Sequence, residues 1–417
     1  MCKRMEYYRY KGFCLCPAGG ALPQGAVKAD APFHPLVFLV ERNPEYSRGV
    51  FAISDLAELN EQDSVNLLLP VLPADRMDGL AKFVAEHGAS VVNTAFARWF
   101  EVLFAHRERQ NKALRFHLVG LGDVGGTVLT GLKLLGTDLG GIGIFDPDES
   151  RMARYEAELN QILPLDDGAE LPQIDPVSRE ALFDCDVLVF TASRGVPPVG
   201  EEGADVRMSQ YKANRDMLRA YALQARQSGF TGLFAQVSDP VDQLSRAVFL
   251  MSNQNGCGEF DWQGLLPEQV RGFGLGVMRA RANYMAEREG IYGSRLRAFG
   301  PHGQGLVIAN APNEGYDDAL SRRLTEKTVE ANLAIRKLGY KPYIAPGLSS
   351  AAVSLLRAAR GDWHDAAVPV GSAYFGCRTR CTKNGTEILR EPLDPALFSR
   401  ITESYIKLEE FNAQWAD

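Results

Sequence analysis

The chain has 417 residues, of which 46% are hydrophobic and 23% charged, as is typical of a globular protein with two or three domains. Its formal net charge of −7 argues against nucleic acid as the main partner, because phosphate binding needs a concentrated basic surface. No apolar run approaches the roughly 20 residues that a membrane helix needs, and the first residues lack the apolar stretch of a signal peptide. We therefore expect a cytoplasmic protein with no membrane partner.

The seven cysteines are an odd number and are scattered along the chain, which favours reduced thiols over a disulfide framework. Cys14 and Cys16 could share a zinc ion with Cys377 and Cys381 only if the two ends of the chain met. Neither pair has the usual Cys-x-x-Cys spacing, and no histidine stands nearby. We expect no metal.

Residues 1–113 predict a small α+β domain. Short apolar stretches, "HPLVFLVE", "GVFAIS" and "NLLLPVLP", are typical of strands. A helix is predicted over "DRMDGLAKFVAEHG", with Asp75 as its cap and Gly88 as its end, and a second over "FARWFEVLFAHRERQ". This part carries no motif that indicates chemistry.

The strongest local signal is a strand, "FHLVG", that runs into the turn Gly120-x-Gly122-x-x-Gly125 and then into a helix. A second strand, "GIGIFD", ends in Asp146. Glycines in such a turn let the backbone approach a pyrophosphate, whose charge rests on the helix N-terminus, while the acid accepts hydrogen bonds from the ribose diol. The pattern predicts NAD binding, and Asp146 disfavours NADP because it would repel a 2′-phosphate. Alternatively, Asp146 only opens the next helix, in "DPDES".

Two further apolar runs, "DCDVLVFTAS" and "GLFAQVSDP", predict buried parallel strands, separated by an amphipathic helix that Gly229 ends. Residues 114–248 are therefore predicted to form a doubly wound, Rossmann-type parallel sheet. Ligand groups of such sheets gather at the carboxyl ends of the strands. The predicted cofactor-binding residues are Gly120, Gly122, Asp123, Val124, Gly125, Asp146, Thr191, Ala192, Ser193 and Ser238.

From residue 116 to the C-terminus, the order of motifs resembles that of the lactate/malate dehydrogenase family. The glycine turn is followed by "VLVFTAS", similar to V-I-T-A-G, and by "VRMSQYKAN", similar to R-L-D-L-V-x-x-N. Next come "SDPVD" in place of N-P-V-D, "LPEQVRGFGLGVMRARANYM" in place of L-P-x-x-R-V-I-G-x-G-T-x-L-D-x-A-R-F, and "FGPHGQG" in place of G-E-H-G-D. The tail resembles the family's last strand pair and helix.

This resemblance implies an NAD-dependent enzyme that moves a hydride between nicotinamide and a 2-oxo or 2-hydroxy acid. It implies an α+β catalytic domain over residues 249–417 and a homo-oligomer, either a dimer or a tetramer. Arg281 would bind the substrate carboxylate, Arg207 would polarise the reacting carbonyl, and His302 would exchange the proton. Asn214 would contribute to substrate binding.

Two departures from the family pattern concern His302. Met278 stands where the family has the Asp that orients the catalytic imidazole, and a thioether cannot accept strongly from a ring N–H. Asp239 stands where the family has an Asn. Either Asp239 has become the catalytic partner of His302, or the chain is a catalytically silent NAD-binding protein with a regulatory or scaffolding role. The presence of His302, Arg281 and Arg207 together favours an enzyme.

The loop before Arg207 carries Glu201, Glu202 and Asp205, where malate enzymes place an arginine for the second carboxylate of the substrate. Acids in this loop would repel a dicarboxylate, which argues against malate. Alternatively, they only face solvent. A further insertion, "MSNQNGCGEFDWQG", is predicted to be a surface loop.

Overall fold

The structure is a computed structural model that describes residues 5–72, 79–166, 168–194, 204–292 and 296–414; for residues 204–208 it describes the backbone alone. Within these ranges no helix combines the length and the apolar character needed to cross a membrane. The strands are β1 (Tyr7–Tyr10), β2 (Phe13–Pro17), β3 (Val27–Ala29), β4 (Leu36–Val40), β5 (Val50–Ile53), β6 (Ala89–Asn93), β7 (Arg115–Val119), β8 (Gly141–Phe145), β9 (Ile174–Pro176), β10 (Val187–Phe190), β11 (Leu233–Gln236), β12 (Val270–Gly272), β13 (Arg297–Phe299), β14 (Val307–Ala309), β15 (His364–Val370), β16 (Ala373–Thr382) and β17 (Gly385–Ile388).

The α-helices follow the strands in the alternation expected of an α/β protein. They are α1 (Gly79–His87), α2 (Trp99–Arg109), α3 (Asp123–Leu135), α4 (Glu149–Leu159), α5 (Ala204–Gln227), α6 (Val241–Ser252), α7 (Leu275–Arg288), α8 (Asp318–Lys337), α9 (Val353–Ala359) and α10 (Pro395–Gln414). A short π-helical segment, Pro346–Ala352, runs directly into α9.

The central six strands form the predicted doubly wound sheet. Their order is β9-β8-β7-β10-β11-β12, and all five pairings are parallel. The chain moves outward in one direction from β7 and then returns to the other side of β7, so the crevice between β7 and β10 is the point where the strand order reverses. Ligands of open α/β sheets bind at such a reversal, next to the carboxyl ends of the strands.

Helix α3 is held against this sheet by its apolar face, on which Val128, Leu129 and Leu132 are fully buried. On its other side α3 approaches the segment Pro346–Ala352 closely. A Cβ atom added at Gly131 would lie 2.7 Å from the Cβ of Ala352. The C-terminal part of the chain therefore packs directly on the helix that follows the glycine turn.

Residues beyond β12 form the antiparallel meander β15-β16-β17, which extends the same sheet through the pairing of β12 with β15. The hairpin β13-β14 stands apart as a two-stranded sheet, and its connection carries His302. Helices α7 and α10 pack on the two sheets. The α+β character predicted for this part of the chain is confirmed.

The N-terminal strands also belong to the large sheet. Strands β2, β4 and β6 are parallel, whereas β1 pairs antiparallel with β2 and β3, and β5 pairs antiparallel with β6. Strand β5 then pairs in parallel with β17 through Phe51 and Thr386, which joins the described parts of the chain into one sheet of 15 strands. The N-terminal α+β segment is thus continuous with the rest of the fold.

Two local predictions are corrected. Val65–Leu68, which overlaps the start of the predicted strand "NLLLPVLP", is a 3₁₀-helix whose N-cap, Ser64, accepts from the N–H of Asn66. The insertion after α6 is more than a surface loop, because the ring of Trp262 stacks on Phe249 and meets Phe96 edge-on. Gly88, with a φ of +65°, ends α1 as predicted, and Asp75 lies outside the described residues.

Three of the four cysteines considered for zinc lie in two different hydrophobic clusters. Cys14 and Cys16 are buried in the N-terminal cluster, and Cys377 is buried among residues of the C-terminal meander. Across the described ranges, no three His, Cys, Asp or Glu side chains are grouped so as to hold a metal ion.

Candidate active site

The backbone of the glycine turn leaves no room for a side chain at two of its three glycine positions. Gly120 has a φ of +93°, and a Cβ there would lie 2.7 Å from the backbone nitrogen of Ala192. A Cβ at Gly125 would lie 1.9 Å from the carbonyl oxygen of Gly120 and 2.6 Å from the Thr191 hydroxyl. Gly122, the N-cap of α3, faces open space instead. Gly120 and Gly125 therefore close the turn, and Gly122 leaves room in front of the helix N-terminus.

Asp146 follows β8 and is buried against this turn. Its Oδ2 accepts the N–H of Leu121 at 2.8 Å, and its Oδ1 accepts the N–H of Asp148 at 3.0 Å. The guanidinium of Arg151 binds both oxygens at 3.2 and 3.3 Å. The carboxylate is therefore fixed beside the turn, and Arg151, which the sequence analysis did not single out, is its cationic neighbour.

The ends of β10 and β11 are braced by side chains predicted to bind ligands. The buried Ser238 hydroxyl donates to the carbonyl of Ala192 at 2.6 Å. Asn214 on α5 is fully buried: its Oδ1 accepts the N–H of Arg194 at 2.7 Å, and its Nδ2 donates to the carbonyl of Asp239 at 2.8 Å. Both ends of the Asn214 carboxamide bind the protein backbone. These hydrogen bonds hold the segments that follow β10 and β11 together.

The other predicted cofactor residues lie around the same crevice. Thr191 donates its hydroxyl to the carbonyl of Gly120 at 2.7 Å, which ties the end of β10 to the turn. Asp123 is exposed and pairs with Lys341 at 3.2 Å. Ser193 is exposed at the crevice, and Val124 and Ala192 are half-buried there.

His302 and Asp239 are in direct contact, as a catalytic partnership between the two side chains requires. The Nδ1 atom of His302 lies 3.0 Å from Oδ1 of Asp239. The other ring nitrogen, Nε2, is buried and has no hydrogen-bond partner among the described residues. Only 13% of the His302 side chain is exposed, compared with 52% for Asp239. The imidazole thus has one nitrogen held by a carboxylate and one buried nitrogen without a partner among the described residues.

The protonation of His302 reflects two opposing effects. Burial disfavours the imidazolium, but the charge of Asp239 and its hydrogen bond favour it more strongly, so the pKa of His302 is raised above its ordinary value. The imidazolium is the form that donates a proton to a carbonyl. The contact with Asp239 therefore favours the form needed for reduction.

Asp242, the last residue of "SDPVD", is a second carboxyl group at His302, and no role was predicted for it from the sequence. It lies in the first turn of α6, and its Oδ2 accepts the backbone N–H of His302 at 2.9 Å. Burial raises the pKa of Asp242 to about 6. Its spacing of three residues from Asp239 is the signal in the sequence, because both acids flank the start of one helix.

Arg281 lies on α7 close to this pair. Its guanidinium donates to Oδ1 of Asn332 on α8 and to the sulfur of Met278 at 3.8 Å. Burial lowers the pKa of Arg281, and the charge of Asp239 partly offsets that effect. Among the described residues, no carboxylate lies within 4.0 Å of this guanidinium. It is a partly desolvated cation that an added carboxylate would pair with.

Met278 lies in an apolar environment, and only 3% of its surface is exposed. It contacts Arg281 and belongs to the cluster of apolar side chains under α7.

The backbone of Arg207 lies on α5. Its side chain, the side chain of Asp205 and the loop with Glu201 and Glu202 are outside the described residues.

Known proteins similar to this chain are lactate dehydrogenases. No family model matches it. The L-lactate dehydrogenase of Mesomycoplasma hyopneumoniae is 28% identical over 206 residues, which are 48% of this chain and 58% of that enzyme. That of Staphylococcus saprophyticus is 26% identical over 195 residues, which are 46% and 55% of the two chains. The chain thus matches just over half the length of these curated relatives.

Solved lactate dehydrogenases share the fold. The enzyme MGS-M5, from a deep-sea metagenome library of the Medee basin, superposes with a TM-score of 0.59 at 18% identity, covering 73% of this chain and 100% of its own. The minor L-lactate dehydrogenase of Enterococcus mundtii has a TM-score of 0.59 at 17% identity, covering 72% and 98%. The chain is therefore similar to lactate dehydrogenases over about half of its sequence, and it shares their fold.

Proposed function

We propose that this divergent lactate dehydrogenase relative is an active NAD-dependent oxidoreductase of a 2-oxo or 2-hydroxy acid. The observation that carries the proposal is the contact between His302 and Asp239, beside Arg281, whose guanidinium has no carboxylate partner among the described residues. The replacement of the family's Asp by Met278 would leave the imidazole without an acceptor, and Asp239 supplies one from another direction. A silent protein has no need for this compensation.

In this proposal Arg281 binds the substrate carboxylate through its planar guanidinium. His302 exchanges a proton with the substrate oxygen at its unpartnered Nε2, while Asp239 holds Nδ1 and stabilises the imidazolium. Arg207 polarises the carbonyl by analogy with the family. Asn214 and Asp242 position the strand ends and the His302 backbone. Bound NAD supplies or accepts the hydride.

The glycine turn and Asp146 fit a dinucleotide. Gly122 leaves space where a side chain would stand between the backbone and a pyrophosphate, and α3 presents its N-terminus there. Asp146 is fixed at the end of β8, where an acid accepts from a ribose diol. We therefore assign NAD to this crevice, with Ser193, Thr191 and Ala192 along its other side.

The substrate is proposed to be a monocarboxylate and not malate, on the basis of the acids at positions 201, 202 and 205. The dimer or tetramer and the cytoplasmic location expected from the resemblance stay predictions. Sedimentation analysis of the purified chain tests the first of these.

Replacement of Arg281 by Lys tests the function. Lysine keeps the charge but loses the bidentate geometry, so we expect kcat/KM for the best 2-oxo acid to fall by about 100-fold or more, with little change in NADH affinity. A panel of 2-oxo acids with NADH identifies that substrate first. Arg154→Lys, on the exposed face of α4, is the matched control. Absence of any turnover across the panel, together with tight NADH binding, would instead support the silent NAD-binding protein.

A further inference from the structure

A cavity of about 70 Å³ lies where the three parts of the chain meet. Its walls come from β5 and α2, from the first residues of β10 and β11, and from α9 and the β16–β17 turn. This cavity lies at the amino ends of the parallel strands, whereas the cofactor turn follows their carboxyl ends, on the opposite side of the sheet. A space of this size can hold several water molecules or one small ion.

Arg109, in the last turn of α2, lines this cavity without a close partner. Burial lowers its pKa, which shows that its guanidinium is partly withdrawn from water. In the described part of the chain it has no hydrogen bond or ion pair. The carboxylate that acts on it electrostatically, Asp186, already binds Lys112 at 2.8 Å and the N–H of Arg115 at 3.0 Å. A desolvated guanidinium without a paired carboxylate favours an added anion.

A second cation lies directly behind the cavity wall. Arg271 is 1% exposed and donates to Sγ of Cys381 and to the hydroxyl of Thr386, each at 2.9 Å. Its third contact is Nε2 of His364 at 3.1 Å, and burial lowers the pKa of His364 to about 3, so that this ring is neutral. The Nε atom of Arg271 is buried without a partner among the described residues. None of these contacts is with a carboxylate.

The contacts of Arg271 also orient two donors. Thr386 and Cys381 both line the cavity, and both use a lone pair to accept from the guanidinium. A hydroxyl or thiol that accepts in this way still has its own proton to donate. The cavity therefore combines the Arg109 cation with two hydrogen-bond donors, the Thr386 hydroxyl and the Cys381 thiol, that a carboxylate can accept from.

Two other titratable groups face the cavity. His106 lies 2.6 Å from the carbonyl of Thr382, and burial lowers its pKa to about 4, so it is neutral. Glu268 accepts the N–H groups of Gly49 and Val50 at 3.0 and 2.9 Å, and burial raises its pKa to about 7. Glu268 therefore carries only part of a negative charge near neutrality, and the other carboxylate in the lining, Asp186, is paired with Lys112.

The remaining lining decides the class of anion. Most of the wall is apolar and includes Val50, Val102, Leu233, Leu266 and Leu355. We propose that this cavity binds a small organic carboxylate, with its charged end against Arg109 and its apolar body against these side chains. Inorganic phosphate would leave the apolar wall unused and would bring more charge than the site compensates.

The wall formed by α9 connects this site to the cofactor crevice. Helix α9 continues from Pro346–Ala352, in which Ser350 accepts the N–H of Val277 and donates to the carbonyl of Gly274 at the start of α7. The same segment packs on α3. An occupant is therefore an effector that braces α9, and through it both the cofactor helix and the helix of Arg281.

Thermal unfolding of the full chain in sodium butyrate tests the proposal, with sodium chloride at equal ionic strength as the reference. Variants Arg109→Gln and Arg109→Lys alter the site, and Arg154→Gln controls for loss of a surface arginine. An Arg281→Lys background removes the proposed substrate clamp, so that binding there is separated from binding in the cavity. At about 10 mM butyrate, ten times a dissociation constant of about 1 mM, we expect stabilisation that Arg109→Gln loses, Arg109→Lys weakens and Arg281→Lys retains.

Alkylation of Cys381, followed by peptide mass spectrometry, locates the ligand independently. Butyrate should slow labelling of Cys381 several-fold in the wild type but not in Arg109→Gln, while the exposed Cys257 serves as an internal control. Equal stabilisation of wild type and Arg109→Gln, no stabilisation at all, or tighter binding of phosphate than of butyrate would each overturn the proposal. These outcomes are independent of whether the enzyme turns over a 2-oxo acid.

Discussion

At the scale of single residues, the distinctive feature is a carboxylate that reaches His302 from the end of β11 instead of from α7. Asp239 contacts Nδ1 at 3.0 Å, and Met278 fills the place of the family's acid with a buried thioether. Both substitutions are visible in the sequence. The contact between Asp239 and His302 could be proposed from the sequence only through the family resemblance, because 63 residues separate the two side chains and the packing of α6 against the β13–β14 connection brings them together.

Removal of the Asp239 charge should weaken reduction most at the upper end of the pH range. Asp239→Asn loses the interaction that raises the pKa of His302, so the imidazolium is lost at lower pH and the declining limb of reductive kcat shifts downward. We expect kcat/KM to fall by about 10- to 100-fold. pH–rate profiles of the wild type and the variant measure both effects.

The double variant Met278→Asp with Asp239→Asn rebuilds the family's arrangement and serves as the control. It should recover part of the lost activity, because His302 regains an acceptor on its other side. Identical profiles for the wild type and both variants would remove Asp239 from the mechanism.

Cofactor preference depends on Asp146 and its neighbour Arg151. The wild type should bind NADH more tightly than NADPH, because the carboxylate repels a 2′-phosphate and occupies the Arg151 guanidinium. Asp146→Ala frees that guanidinium, so NADPH affinity should rise by about tenfold. Protein fluorescence titrations measure both affinities. Asp146→Ala with Arg151→Ala should lose the gain, and equal binding of the two cofactors by the wild type would contradict the role of Asp146.

At the scale of elements, the strand, turn and helix at residues 115–135 were predictable because every signal there is local. A buried strand, three glycines at fixed spacing and an amphipathic helix each restrict the backbone by themselves. The strand predicted over "NLLLPVLP" was wrong at its start, since the apolar residues of Val65–Leu68 suit a strand and a buried 3₁₀ turn equally well. The docking of Trp262 on Phe96 depends on tertiary packing that no short window contains.

Two glycines of the turn should respond differently to alanine. At Gly125 a Cβ meets the carbonyl oxygen of Gly120, so Gly125→Ala should destabilise the fold by about 3 kcal/mol or more. At Gly122 a Cβ meets nothing and φ is −73°, so Gly122→Ala should leave thermal stability nearly unchanged but weaken NADH binding. Calorimetry and NADH titration of both variants test this. Normal NADH affinity in Gly122→Ala would move the pyrophosphate away from this position.

At the scale of the whole molecule, the parts meet through polar groups that sequence reasoning did not identify. Glu268 binds the N–H groups of Gly49 and Val50, and Arg271 reaches across to Cys381 and Thr386. Partners more than 100 residues apart leave no periodic signal. The division at residues 113 and 248 stays a proposal about the chain's organisation, because the sheet itself runs through all three parts.

Glu268 should make stability depend on pH. Its pKa is raised to about 7 in the folded protein, above the value of about 4.3 in an unfolded chain. The folded state therefore binds more protons between these values, and stability falls as pH rises through that window. Glu268→Gln removes this loss. The difference in unfolding free energy between the variant and the wild type should therefore shift in favour of the variant by on the order of 2 kcal/mol between pH 5 and pH 8, as measured by thermal unfolding at each pH. A constant difference across that range would contradict the assignment.

The pairing of Phe51 with Thr386 has a consequence for biosynthesis. On the ribosome, β5 emerges hundreds of residues before β17, and its free edge is an unpaired hydrogen-bonding template throughout translation. That edge is therefore covered only after β17 has been made. A chain that stops short of β17 would keep the edge exposed and would be prone to aggregate, so the last strand of the meander completes the pairing of a strand made much earlier.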